Sequence, residues 1–289
     1  MTALQGSSGK MGQTARNRIT KTLLYILLII MGVSFLTPFV WLVTTSLKKI
    51  GAVFATPIVW IPPDPQWHNY VQVFQMLPFG RYLLNTAYIT VLATIGNLAS
   101  SMMVGYSLGR LRWRGREAVF GLLMATMMLP GVVTMVPLFV MFFKVGWIDT
   151  YYPLIVPSWC GNAFFIFMIR QFMRALPIEL DEAARIDGAN SLQILAKVIL
   201  PLCKPVIAAV AIFAGMAHYN NFMGPLLYLS TNSKFTIQLG LYQFRGQQVT
   251  LWHLIMAAST VSIAPLLIIF FVGQRYFVQG FSFSGLAGR

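Results

Sequence analysis

Apolar residues run along the chain in six long blocks, each bounded by charge. No Asp, Glu, Lys or Arg occurs in the 26 residues between Lys21 and Lys48, the 28 between Arg81 and Arg110, or the 26 between Glu117 and Lys144. The same holds for the 20 between Asp149 and Arg170, the 29 between Lys204 and Lys234, and the 29 between Arg245 and Arg275. A helix needs about 20 predominantly apolar residues to cross the hydrocarbon core of a bilayer. Each block is therefore long enough for one crossing and too short for two. The pattern predicts six transmembrane helices, near 22–46, 83–109, 118–143, 153–173, 204–229 and 252–275. The first block is about twice the length of a signal-peptide core and no small-residue cleavage site follows it, so it is expected to remain as an anchor. Pro38, Pro130, Pro137, Pro225 and Pro265 fall inside predicted helices. Neighbouring groups in a bundle can satisfy the carbonyls that proline frees, and fixed kinks are the expectation.

Composition agrees. Of 289 residues, 57% are hydrophobic and 10% charged, against about a quarter charged in an ordinary soluble domain. So few charged side chains could not cover a soluble globule of this length. A soluble enzyme, a disordered chain and a nucleic-acid-binding domain are excluded. The net charge of +14 is informative by position. The N-terminal segment carries four Lys or Arg, the second–third connection four, the fourth–fifth five and the C-terminal tail two, making 15 on one side against six on the other. Lys and Arg concentrate in cytoplasmic loops, so both termini are expected in the cytoplasm and most of the excess charge at the anionic inner leaflet. Cys160 and Cys203 provide neither a disulfide framework nor a metal set.

Charge inside the membrane costs about 2.5–3.5 kcal/mol or more and marks ion relays where it occurs. The predicted spans hold no acid, Lys or Arg at mid-depth; His218 and His253 are the titratable candidates. This argues against ion-coupled transport and against a membrane enzyme, and no paired carboxylates, HExxH or nucleophile motif is present. Gly6-Ser7-Ser8-Gly9-Lys10 has two residues between its glycines and Met11 after the lysine, so it fails the phosphate-loop spacing. Energy for active transport would have to come from a partner. Uncharged polar groups do cluster: Asn162 in the fourth span, His218, Tyr219, Asn220 and Asn221 in the fifth, Ser259, Thr260 and Ser262 in the sixth. Such groups suit sugar hydroxyls along a substrate pathway, or interhelical hydrogen bonds.

Four of the seven acids lie within nine residues of the fourth–fifth connection: Glu179, Asp181, Glu182 and Asp187. Pro177 suits a first helical position and the acids suit the positive end of a helix dipole. Gly188 can end that helix in a left-handed conformation. Asn190, with Gln193 three residues on, has capping-box spacing for a second helix that Pro201 ends. Two short helices meeting at a glycine bend are predicted, with Ile186, Leu192 and Leu195 as exposed apolar surface for a partner.

This loop resembles the EAA motif of ABC importer permeases: Glu182-Ala183-Ala184, then Gly188, then Leu200-Pro201, with Val198 where the motif has Ile. Pro62-Pro63-Asp64 through His68-Asn69-Tyr70, Arg81-Tyr82-Leu83-Leu84-Asn85-Thr86, and the ending Gln274-Arg275-Tyr276-Phe277-Val278-Gln279-Gly280 resemble the maltose-type carbohydrate-uptake branch. The resemblance covers about residues 20–289. It implies an all-α, six-helix, type I ABC importer permease fold in a bacterial or archaeal cytoplasmic membrane. A permease domain of 22–280, with its coupling loop at about 177–201, would lie between tails at 1–21 and 281–289, the first partly disordered. The implied partners are a second permease subunit, two ATPase subunits and an extracytoplasmic solute-binding protein. ATP and Mg would sit on the ATPases, with no cofactor or metal on this chain, which would not itself be an enzyme. Glu179, Glu182, Ala183, Ala184, Asp187, Gly188, Leu192, Leu200 and Pro201 become the expected ATPase-coupling residues. Gln243, Arg245, Gln247 and Gln248 become a loop toward the binding protein. The function implied is import of sugars or oligosaccharides by alternating access. A stand-alone ion-coupled or facilitative sugar transporter is the alternative.

Overall fold

The computed structural model describes the backbone of residues 7–245 and 250–286, and side chains over 17–245 and 250–271. The described chain is almost entirely helical. Its helices are α1 (Ser7–Ser46), α2 (His68–Met76), α3 (Phe79–Gly109), α4 (Arg116–Thr126), α5 (Gly131–Lys144), α6 (Tyr152–Ile155) and α7 (Ala163–Ala175). There follow α8 (Glu179–Ile186), α9 (Ser191–Ile194), α10 (Leu200–Leu202), α11 (Lys204–Tyr219), α12 (Met223–Tyr228), α13 (Ile237–Gln243) and α14 (Trp252–Leu286). A π-turn, Leu195–Ile199, joins α9 to α10.

Four stretches are long and apolar enough to cross a membrane: Asn17–Ser46, Phe79–Gly109, Tyr152–Ala175 and Trp252–Phe271. Two bent pairs bring the number to six. With each bent pair counted as one span, every apolar block holds a candidate crossing, but three are broken where single helices were expected. In the third, α4 and α5 meet at 95°. Pro130 there is extended (φ −60°, ψ 131°) and caps α5, and proline also biases the residue before it away from helix. The fourth interrupts its helix at Gly161, whose φ of 94° favours glycine. The fifth starts at an 82° bend at Cys203, close to its expected start at 204 and to the stop expected at Pro201, with Pro201 and Pro205 each in the first turn of its helix, where a missing N–H costs nothing. Its helix also ends at Tyr219 and restarts at Met223, so 204–229 is not continuous. Pro38, Pro137 and Pro265, by contrast, lie inside helices. At the other end of the chain, α1 starts at Ser7, within the segment expected to be a tail.

The chain divides into two compact units, 1–73 with 250–260, and 74–249 with 261–289. In the first, the end of α1 is tied to α2. The Asn69 side-chain amide donates to the Ser46 and Lys48 carbonyls (2.7 and 3.0 Å), and the Ser46 and Tyr70 hydroxyls share a 2.7 Å bond. The buried Lys48 ammonium lies 4.0 Å over the Trp41 ring.

In the second unit, α3 is the central helix. Small residues let neighbours approach: a Cβ at Gly96 would lie 2.5 Å from the Trp159 ring, and one at Gly105 2.8 Å from Ile169. Met102, Tyr106, Phe165, Ile169, Met173 and Val210 form the core between α3, α7 and α11. At the start of α3, Tyr82 Oη donates to Asn232 Oδ1 (2.7 Å), Asn85 Nδ2 to the Ser233 and Phe235 carbonyls (3.0 and 2.9 Å), and Ile237 N to Thr86 Oγ1 (2.8 Å). The Arg81–Thr86 motif is therefore a structural fastening for the 232–237 segment.

Candidate coupling site

The acidic loop folds as two short helices around glycine. α8 carries Glu179, Asp181 and Glu182 in its first turn, with Ile178 as N-cap, so the helix starts two positions later than Pro177 had suggested. Gly188 has φ 81°, the left-handed conformation expected of it. Asn190 Oδ1 accepts from Gln193 N, and Gln193 Oε1 from Asn190 N, both at 2.9 Å, so the capping box is complete. Pro201 does not end the second helix at once, since α10 runs to Leu202 after the π-turn.

Most of the expected coupling residues are exposed along this loop. Glu179, Glu182, Ala183, Asp187, Gly188, Leu192, Leu200 and Pro201 are exposed, and Ala184 is half-buried. Ile186 is 87% exposed and Leu192 72%. Leu195, expected beside them, is instead buried with Ile194 and Ile199 in the core. The π-turn lets α9 present Leu192 outward while these residues turn in.

Two buried arginines, missed in the sequence as site residues, hold the bundle beneath this surface. Arg110, which follows α3, directs Nε to Asp181 Oδ2 at 2.8 Å. Its Nη1 donates to the Met173 and Leu176 carbonyls (3.1 and 2.7 Å) and its Nη2 to the Pro177 carbonyl (2.7 Å). Met173 is in the last turn of α7, and Leu176 and Pro177 follow it on the approach to α8. Arg170 pairs with Glu117 of α4 (2.7 Å), donates to the Leu108 carbonyl (3.1 Å) and stacks 3.6 Å over Phe120. The sequence signal for Asp181 was slight: it precedes half-buried Ala184 by three residues, on the face of α8 that turns to the bundle.

The candidate pathway residues separate. Asn162 caps α7, its Oδ1 accepting from Phe164 N and Phe165 N at 3.0 and 3.3 Å. His218 Nε2 lies 2.9 Å from Asn97 Nδ2 and 3.5 Å from Ser158 Oγ, and Asn97 was not foreseen. Tyr219 Oη donates to the Ser262 carbonyl (2.7 Å). Asn221 Oδ1 accepts from Gly224 N (3.1 Å). Asn220 is exposed, with the Gln238 amide donating to its Oδ1 at 3.3 Å, and a Phe222–Tyr242 ring pair lies in the same region of the chain with centroids 5.5 Å apart.

Of the loop expected to face a binding protein, Gln243 accepts from Tyr82 Oη (3.2 Å) and Arg245 is exposed. Gln247 and Gln248 lie outside the described residues. Outside the membrane-length helices, Asp149 accepts from Lys234 Nζ (2.8 Å), Thr231 Oγ1 (2.6 Å) and the N–H groups of Thr231 and Ser230 (2.9 Å each). The Lys234 ammonium first, then the Thr231 donors, hold its carboxyl well below the usual range. No group of three or more His, Cys, Asp or Glu able to hold a metal occurs among the described residues.

The long-helix bundle with an exposed glycine-bent acidic loop has the fold of an ABC importer permease. Over 91% of this chain and 98% of its counterpart, it superposes at TM-score 0.79 and 26% identity on a chain of a bacterial ABC transporter involved in the import of the acidic polysaccharide alginate. Residues 101–283 match the family described as binding-protein-dependent transport system inner membrane component. The chain belongs to that family. It is 34% identical over 76% of its length to the arabinooligosaccharides transport system permease protein AraQ of Halalkalibacterium halodurans, of which 79% is covered. It is 30% identical to the trehalose/maltose transport system permease protein MalG of Thermococcus litoralis, over 95% of this chain and 100% of the relative. As a permease component it is a transport subunit and not an enzyme.

Proposed function

We propose that this permease serves an ATP-driven importer of sugars or oligosaccharides, paired with a second permease, two ATPase subunits and an extracytoplasmic binding protein. The carrying observation is the loop. Glu182, Asp187, Ile186 and Leu192 are exposed around a left-handed Gly188, which is the mixture of charge and apolar surface that a partner's cleft would cover. ATP and Mg belong to the ATPases in this reading. Both termini and the loop lie in the cytoplasm, supported by the 15-to-six Lys and Arg bias. The ATPases close on ATP, carry the loop with them and tilt the spans, so the cavity opens outward to a loaded binding protein.

The sugar assignment rests on the oligosaccharide permeases among the relatives and on the polar surface. Asn220, with its amide neighbour Gln238, offers donors and acceptors to hydroxyls. His218, Tyr219, Asn221 and Asn162 act by shaping the pathway walls. Gln243, Arg245, Gln247 and Gln248 belong to the loop toward the binding protein.

The test is ATP-dependent uptake of labelled oligosaccharides by the reconstituted complex. Wild type should transport only with ATP inside and binding protein outside. Glu182→Lys should abolish uptake and loosen the ATPase subunits. Uptake that persists without ATPase subunits would overturn the reading.

A further inference from the structure

The two halves of the coupling loop are attached to the bundle by different means. In the second half, Ile194 and Ile199 are fully buried in the apolar core and Leu195 nearly so. In the first half, Asp181 is the one residue of α8 that is buried. Its side chain is 1% exposed and its partner, the Arg110 side chain, 3%. The same guanidinium holds the Leu176 and Pro177 carbonyls just before α8. One arginine at the end of α3 therefore grips both the approach to α8 and its first turn.

Folding stability does not explain this arrangement. A buried ion pair often contributes no more than an apolar pair of the same volume, because both ions lose their water. Here the pair is also incompletely satisfied: Asp181 Oδ1 is buried with no hydrogen-bond partner, as is the Tyr106 hydroxyl. What the pair does provide is directional rigidity. The salt bridge and three carbonyl bonds to a planar guanidinium fix position and angle together. By contrast, α8 has no side-chain N-cap of its own.

We propose that Arg110 and Asp181 form the joint through which displacement of α8 reaches the second span, α3. They are positioning residues: neither belongs to the exposed surface offered to the ATPases. The inference rests on the importer function proposed above. When α8 is pushed, the load passes through the carboxylate and guanidinium to α3, around which α7 and α11 pack. Without the joint, α8 could follow the ATPases while α3 stayed behind.

The experiment uses the complete complex with its binding protein and reads three quantities: ATPase subunits retained on purification, basal ATP hydrolysis, and the stimulation produced by sugar-loaded binding protein. Asp181→Asn should keep the subunits and basal hydrolysis but lose at least about five-fold in stimulation, the scale of a coupling free energy between sites. Asp181→Glu, which keeps the charge, should recover part of it. If the single variant does not insert, Arg110→Met/Asp181→Leu removes both charges at similar volume, and the same loss of stimulation is expected. Wild-type stimulation in an assembled Asp181→Asn or double variant would overturn the joint. Loss of the ATPase subunits from either would overturn it too, since the pair would then serve docking. A wild-type complex that binding protein fails to stimulate would instead refute the importer function.

Discussion

α1 and α3 are both long enough to cross a membrane, yet they are built for different surroundings. Residues 17–40 of α1 are all exposed, and none of its most apolar window is buried, against 44% of that in α3. The more thoroughly apolar helix is the one that packs less. α1 is filled with Leu, Ile, Val and Phe, and a Cβ at Gly32 would meet nothing within 4 Å. α3 is diluted with Gly96, Asn97, Ser100, Ser101, Gly105 and Gly109, and these are its close-contact positions. In a membrane, Leu gains little by leaving lipid for another helix, whereas small and hydrogen-bonding residues allow close approach. Hydropathy therefore reports where a helix resides, and small polar residues report what it touches.

The sharpest way to break this contrast is at Gly96. Gly96→Leu must displace Trp159, and overpacking costs about 1–3 kcal/mol or more. The yield of monodisperse protein and its melting temperature should fall clearly. An unchanged melting temperature would mean that α3 is not packed as described.

Gly188→Val places a β-branched residue at positive φ with open space around it. The cost is conformational, about 1–2 kcal/mol, so the protein should still insert and melt slightly lower while uptake is lost. Normal uptake with intact ATPase binding would remove the glycine bend from the coupling site.

A smaller effect is expected at Asp149, whose clamp to Lys234 and Thr231 lies in the same unit as α3. A carboxyl held below its unfolded value of about 3.9 stabilises above that value, and the contribution is lost as pH falls through the folded one. Melting should therefore be flat between about pH 8 and about pH 5 and decline only below about pH 4. Asp149→Asn should abolish that acid limb, with a loss at neutral pH of about 1 kcal/mol or less for so exposed a pair. A decline already present at pH 6 would point to another group.

Gly32→Leu on α1 should be neutral within about 0.5 kcal/mol in the isolated chain. Destabilisation comparable to Gly96→Leu would erase the distinction between the helices.

The same distinction explains what was legible in the sequence. Charge-free intervals located the four unbroken candidate crossings and the two bent pairs, because burial of charge in lipid is costly whatever the fold. Local chemistry at Gly188, Asn190 and Gln193 was legible because capping involves residues within one turn. The breaks at Pro130 and Gly161 were not, since proline and glycine permit a break as readily as a kink and the bundle decides between them; the bend at Cys203 was legible in the stop expected at Pro201 and the span start expected at 204. Arg110 and Asp181 lie 71 residues apart, and nothing local to either announces the other. His218 and Asn97 are a similar case, 121 residues apart. Each alone was compatible with a pathway or a helix contact.

The π-turn at Leu195–Ile199 sets a rule for loop length. It accommodates one residue more than a regular helix would need, and each helical residue turns the chain by about 100°. Deleting Ala196, which is exposed, could restore regular helix without removing any apolar side chain from the core. Because the wide turn already absorbs the extra residue, Ser191–Ile194 would keep nearly the same phase and Leu192 its outward direction, whereas a second deletion, now from regular helix, would rotate them by about 100°. The interval between Gly188 and Val198 thus stores one residue of slack. Loss of that one residue should be far better tolerated than the loss of two.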